Sequence, residues 1–226
     1  MGIAADVVRE AVLDALAVLL PVGCVGCGAD DRALCDACAV QLLPEVSSRL
    51  VGDDLRVWSG LEYDGVVRQA MLAFKQNGRR DAARALAPAL AAAVVAAAPI
   101  PDGIDVVAVP GTRAAYRRRG YDAVRVLLGR AGFRHLSVFA PAGSHVSQKQ
   151  LSVQQRDFNL RGVFRLRAPV AGRRILLVDD VVTTGATLLE AALVLRDAGA
   201  EVVGAAVVAS TPRRFTTQVT SPVTVP

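Results

Sequence analysis

Several stretches of this chain place reactive side chains at spacings that suit a defined chemistry. The most specific is Ile175-Leu-Leu-Val-Asp179-Asp180-Val-Val-Thr183-Thr184-Gly185-Ala186-Thr187. Its first four residues read as a buried strand, Ile175 to Val178. Two adjacent carboxylates stand at the carboxyl end of that strand, and a threonine–glycine turn then opens a helix from about Ala186 to Ala198. Ligands of open α/β sheets bind beyond the carboxyl ends of strands. A helix N-terminus offers unpaired N–H groups and a positive partial charge, which suit a phosphate. Gly185 lets backbone approach the phosphate, and the hydroxyls of Thr183, Thr184 and Thr187 add donors without charge. Asp179 and Asp180 repel a phosphate and suit hydroxyl groups or a divalent cation. A phosphoribosyl group, with a phosphate at one end and a diol nearby, satisfies both halves. The bland alternative is an acidic strand end followed by an ordinary helix cap.

All four cysteines lie in Cys24-Val-Gly-Cys27-Gly and Leu34-Cys35-Asp-Ala-Cys38. Two C-x-x-C pairs supply the four thiolates of a closed tetrahedral Zn²⁺ site. Redox pairs or buried free thiols are the alternatives. A segment so poor in apolar residues needs a metal to fold, and with no further catalytic group beside it the zinc is structural.

A third cluster follows the apolar run Ile104–Val109. Arg117, Arg118, Arg119 and Gly120 read as a basic loop, a donor-rich anion site if they converge and a solvated surface if they do not. Residues 141–162 are polar and irregular, as a closing lid is. His135 opens the short strand Leu136–Phe139 and reads as structural, while His145 lies at the lid.

These residues need a scaffold. Strands are expected at Arg56–Tyr63, Ile104–Val109, Ile175–Val178 and Val202–Val208. Helices are expected from Asp64 to the Asn77-Gly78 stop, over Asp81–Ala98 with a break at Pro88, and over Tyr121–Ala131. Apolar strands alternating with helices after residue 104 imply a parallel sheet covered on both faces. The 226 residues are 53% hydrophobic and 21% charged with only 4% aromatic, which excludes disorder over most of the length and implies an aliphatic core. Residues 1–60 hold four arginines against nine acids, and residues 61–226 hold 22 basic against 12 acidic residues. The basic larger part favours phosphorylated small molecules or nucleic acid. Asp6, Arg9, Glu10 and Asp14 interrupt the apolar start, so residues 3–20 read as an amphipathic helix rather than a secretory signal. Ala85–Ala98 is short for a membrane span. The expectation is a cytoplasmic protein without membrane insertion, where paired thiols serve more often as metal ligands than as disulfides.

The Asp-Asp-to-Thr187 string resembles the phosphoribosyl pyrophosphate (PRPP) signature of type I phosphoribosyltransferases. The resemblance implies that Asp179 and Asp180 hold the ribose hydroxyls while Thr183, Thr184, Gly185, Ala186 and Thr187 cradle the 5′-phosphate. Some purine-handling members carry Asp at the position of Thr183, and its absence argues against a purine salvage enzyme. A strand, Pro110, and then Arg-Arg-Arg-Gly-aromatic is similar to the ComF (ComFC-like) competence family. Members usually continue Gly-Phe-Asn-Gln; this chain has Gly120-Tyr121-Asp122-Ala123. Gln148-Lys149-Gln150-Leu151 with Arg156, Asn159, Gly162 and Phe164 matches the same family, as does Lys75 ahead of Gly78. Such proteins carry an N-terminal zinc finger, so the resemblance spans residues 21 to about 209.

It implies an α/β fold, a parallel sheet flanked by helices of the type I phosphoribosyltransferase kind, with a small N-terminal four-cysteine zinc finger. Residues 1–50 would form the N-terminal helix and finger, 51–209 the phosphoribosyltransferase-like domain and 210–226 a mobile tail. The implied activity is transfer of a phosphoribosyl group from PRPP, bound with Mg²⁺, with release of pyrophosphate. Arg117, Arg118, Arg119 and Gly120 would hold the pyrophosphate, and Lys149 and Arg156 would act as catalytic groups that neutralise it as it departs. The alternatives are a PRPP-sensing regulator and an accessory that handles single-stranded DNA in natural transformation beside other competence proteins. A homodimer is a possible assembly.

Overall fold

A computed structural model describes residues 23–30, 32–76, 78–98, 103–140 and 164–212 of the chain. The expected helix over residues 3–20, the lid with Lys149, Arg156 and His145, and the tail from residue 213 lie outside the described residues. The centre is β4 (Arg174–Val182), whose residues Ile175 to Val178 are fully buried. It pairs in parallel with β3 (Ile104–Ala108) on one side and β5 (Glu201–Ser210) on the other. Beyond β5 lies β2 (Leu55–Glu62), also parallel, and β1 (Ser47–Val51) closes the edge antiparallel to β2, giving the order β1-β2-β5-β4-β3. The sheet is therefore mostly parallel and mixed at one edge.

Alternation along the strands divides the core into two layers. Leu176, Val178, Ala206 and Val208 face α2 (Gly65–Gln76), α3 (Ala82–Ala97) and α5 (Ala123–Arg130), while Ile175, Leu177, Ala205 and Val207 face α6 (Ala186–Asp197). Two short helices complete the order: α1 (Asp36–Gln41), which begins beside Cys35, and α4 (Arg113–Arg119).

The structure corrects four local expectations. Helix α3 runs unbroken through Pro88 because the proline sits on its exposed face, while Leu86, Ala89 and Leu90 are buried. The carbonyl that loses its donor there is one that water can reach. Leu136–Phe139 makes isolated bridges, Val107 to Leu136 and Phe139 to Leu166, rather than a strand. The basic segment after β3 is helical, capped by the Thr112 hydroxyl, which accepts from the Ala115 N–H, and ended by Gly120 in the left-handed region. Finally, β4 continues four residues past Val178, because β5 keeps pairing with it as far as Val182 and Ser210. Among the described residues no helix is long and apolar enough to cross a membrane.

Candidate functional site

Strand β3 ends opposite Val178, where the Val109 N–H donates to the Val178 carbonyl before the chain leaves at Pro110. Asp179 and Asp180 thus occupy an overhang of β4 with β5 on one side only. Asp180 pairs with Lys75 Nζ at 2.7 Å, a lysine delivered by the last turn of α2. Asp179 is half-buried and accepts from the Asp180 N–H at 2.8 Å. Burial and the adjacent charge of Asp180 push its carboxyl up to about 7, against the opposing pull of Lys75. Asp122, where the ComF pattern has Asn, caps α5 by accepting from the Arg125 N–H, and its charge adds to the push on Asp179.

Past Val182, the exposed Thr183 and Thr184 lead to Gly185 and the N-terminus of α6, with Ala186 and Thr187 exposed in its first turn. Gly185 has φ +85°, and a β-carbon there would stand 2.1 Å from Val51 Cγ1, so only glycine fits. Thr184 Oγ1 accepts from the Ala186 N–H at 3.3 Å. From β1, Arg49 Nη2 donates to the Thr183 carbonyl at 2.5 Å and reaches the Val182 carbonyl at 3.4 Å. The structure thus places a carboxylate pair with its own cation beside an exposed turn at a helix N-terminus.

The arginine run does not act as a unit. Consecutive helical positions point about 100° apart. Arg117 and Arg118 are exposed, whereas Arg119 is half-buried, its Nε is enclosed without a hydrogen-bond partner among the described residues, and its Nη2 lies over Gly111, three residues past β3. Gly120 terminates the helix. Tyr121 is buried; its hydroxyl donates to the Phe74 carbonyl and its ring meets that of Phe74 at 5.4 Å between centroids. Since Phe74 precedes Lys75, Tyr121 ties the arginine helix to the residue that pairs with Asp180. Lys75 and Arg49 are site residues that the sequence did not assign, and of the two only Lys75 carried a signal. That signal was the spacing of Lys75 ahead of Gly78.

The four sulfur atoms of Cys24, Cys27, Cys35 and Cys38 lie within 4.8 Å of one another. Cys24 and Cys35 are 3.8 Å apart, and Cys27 and Cys35 3.7 Å. Thiolates around zinc at bond lengths of about 2.3 Å stand about 3.8 Å apart at a tetrahedron's edge, so the cluster fits that ion. These separations are far too long for a disulfide. The Gly26 and Cys35 N–H groups each donate to Cys24 Sγ at 3.4 Å. Burial opposes the Cys24 thiolate, but the N–H groups of Cys27, Cys35 and Gly26 outweigh it and bring the thiol down to about 6. Burial raises the thiol of Cys38. A β-carbon on Gly26 would meet Cys38 Sγ at 2.7 Å and Val66 Cγ1 at 2.8 Å. The nodule is therefore pressed onto α2, and Arg79 Nη1 fastens it further by donating to the Gly23 carbonyl at 2.8 Å.

Comparison with known proteins places this chain beside phosphoribosyltransferases and DNA utilization proteins. Residues 123–224 match the phosphoribosyl transferase domain. The DNA utilization protein YhgH of Escherichia coli (strain K12) is 51% identical over 57 residues, 25% of each chain, and its namesake from Salmonella typhi is 38% identical over 112 residues, 46% of this chain and 48% of that one. Residues 123–224 are thus similar to a phosphoribosyl transferase domain, and a four-cysteine site precedes them. An adenine phosphoribosyltransferase of Mycolicibacterium smegmatis is also similar to this chain, 35% identical over 119 residues, 50% of this chain and 60% of that one. The chain spans between a quarter and three fifths of the length of these relatives.

Proposed function

We propose that the protein binds PRPP with Mg²⁺ and transfers its phosphoribosyl group to an acceptor, releasing pyrophosphate. The observation that carries this reading is the Asp179–Asp180 pair, partnered by Lys75, on the β4 overhang next to the threonine–glycine turn of α6. In this reading Asp179 and Asp180 accept from the ribose hydroxyls. Thr183, Thr184, Gly185, Ala186 and Thr187 take the 5′-phosphate, and the pyrophosphate lies toward Arg119 and Gly120. The bond from the anomeric carbon to pyrophosphate breaks, its electron pair leaves with the pyrophosphate oxygen, and the acceptor bonds to that carbon and sheds its proton. The arginines, with Lys149 and Arg156 from outside the described residues, offset the charge of the leaving group. Mg²⁺ bound with PRPP neutralises the same charge. Residues 51–209 carry this chemistry, and residues 1–50 include the four-cysteine nodule, which holds one structural Zn²⁺.

The test is thermal stabilisation by PRPP that requires Mg²⁺, followed by a screen for pyrophosphate release that begins with adenine, the base in the name of one relative. Stabilisation with release supports the transferase. Stabilisation without release from any base or nucleic acid makes the protein a PRPP sensor, and no stabilisation overturns both readings.

One observation favours a second, compatible role in handling single-stranded DNA within the cytoplasm. Among the described residues Tyr116 is the one aromatic with more than half of its surface in water, at 55%, and it is followed in α4 by the exposed Arg117 and Arg118. An exposed ring among cations is what base stacking and phosphate contact need together. Tyr116→Ala should weaken binding of oligo(dT) several-fold, since one stacked base contributes on the order of 1–3 kcal/mol, while leaving the PRPP-induced thermal shift intact. Equal oligo(dT) affinity of variant and parent would remove this role.

A further inference from the structure

We propose that Arg49 is the positioning residue that sets the phosphate turn, holding its carbonyls from behind so that its N–H groups face the ligand. The inference rests on the phosphoribosyl reading of the site. Strand β1 lies at the antiparallel edge of the sheet, outside the parallel core. Side chains two apart on a strand share a face, and Arg49 and Val51 both point to the same short turn, 134 residues along the chain from Arg49. Val51 packs where a β-carbon of Gly185 would stand. The Arg49 guanidinium donates to the Thr183 carbonyl at 2.5 Å and approaches that of Val182 at 3.4 Å. The Val182 carbonyl also accepts from the Thr211 N–H at 3.0 Å, so both peptide units are fixed.

The consequence follows from the planar trans peptide. The Thr183 carbonyl and the Thr184 N–H belong to one plane and point in opposite directions. With the carbonyl bound to Arg49, the Thr184 N–H is turned to the other side of the turn, where Thr183 and Thr184 are exposed. The same reasoning applies to the Val182 carbonyl and the Thr183 N–H. The guanidinium therefore directs two backbone donors toward the position of the 5′-phosphate, and its charge lies one peptide away from that dianion. Both contacts come from the one nitrogen Nη2, and a lysine ammonium, whose side chain ends one bond short of that position, does not reach the two carbonyls.

The experiment uses the full chain and the variants Arg49→Lys and Arg49→Gln. Ribose 5-phosphate and magnesium pyrophosphate are titrated separately while the amide resonances of Thr183 to Thr187 are followed. Both variants should lose ribose 5-phosphate affinity by about tenfold or more and keep pyrophosphate affinity, with the Thr184 and Gly185 amides showing the largest change. If Arg49→Gln does not fold, Arg49→Lys, which keeps the charge, decides the matter. Unchanged ribose 5-phosphate affinity in a folded variant overturns the inference and leaves the phosphoribosyl reading standing. Equal loss of both ligands makes Arg49 merely structural and also overturns it. No response of the turn to either ribose 5-phosphate or PRPP in the parent protein overturns inference and reading together.

Discussion

Stripping the proposed zinc from the four-cysteine nodule should lower the melting temperature by on the order of 10 °C, and Cys38→Ser should do the same. The reason lies in how the nodule is attached. Its backbone turns at Gly26 against Cys38 and Val66, Val25 is buried in the core cluster of α2 and α3, and Arg79 joins the Gly23 carbonyl to the start of α3 by way of Asp81. Without the ion, two buried thiols, Cys24 drawn down and Cys38 pushed up, share a small space with two more sulfurs, and few apolar side chains remain to hold them. Zinc contributes about 10–16 kcal/mol in small peptides, comparable to the whole stability of a typical domain. Only part of that reaches the melting temperature, because α2 keeps its contacts with β2, α3 and the sheet. Elemental analysis of protein purified without chelator should show one equivalent of zinc. Cys27→Ser, at the exposed corner of the cluster, should release the ion with a smaller loss of stability than Cys38→Ser, whose sulfur is buried. Absence of zinc from the purified protein, or melting curves that ignore a chelator, would remove the metal from the account.

What the sequence revealed and what it concealed divide along the distance between partners. Strands β4 and β5, helix α6 and the spacing of the cysteines could be read because each is a local pattern, a run of apolar β-branched residues, a 3.6-residue period or a turn-bounded pair of thiols. Strand β1 could not. Ser47-Ser-Arg-Leu-Val51 is short and mostly exposed, and its register with β2 is set by pairing across the sheet edge, including hydroxyl contacts of 3.0 Å from Ser47 to Ser59 and from Ser59 to Ser210. Arg49 was hidden with it. Lys75 sits in a recognisable segment, but its partner Asp180 lies far along the chain, and periodicity carries no information about such a pairing. The arginine run was visible as charge but not as geometry. Only the helix shows that Arg119 turns inward while its two predecessors do not. Pro88 misled for the opposite reason, since a local rule was applied where tertiary burial of the other helix face decided the outcome.

Loss of the Asp180 carboxylate should reduce PRPP affinity by about 100-fold, the effect of losing two charge-assisted hydrogen bonds to a diol. Asp180→Ala also strips Lys75 of its partner, whereas Asp180→Asn keeps the shape. Lys75→Met should weaken binding less, by removing the cation that pairs with Asp180 and holds it in place. Because the two residues touch at 2.7 Å, the double variant Asp180→Asn with Lys75→Met should cost less than the sum of its parts. The pH dependence has a definite sign. Burial and Asp180 push the Asp179 carboxyl up to about 7, so near neutrality it is divided between acid and carboxylate. Ribose hydroxyls donate better to the carboxylate, and PRPP affinity should therefore rise between pH 6 and pH 8. Stability should move the other way. A carboxyl with a raised folded-state value contributes most when protonated, and that contribution fades as pH climbs through 7. Asp179→Asn should accordingly melt higher than the parent at pH 8, with the advantage shrinking toward pH 5, and its PRPP affinity should show only the slope due to the ligand's own phosphate. A parent and Asp179→Asn with parallel affinity profiles, or an Asp180→Ala variant that binds PRPP as the parent does, would show that these carboxylates do not hold the sugar.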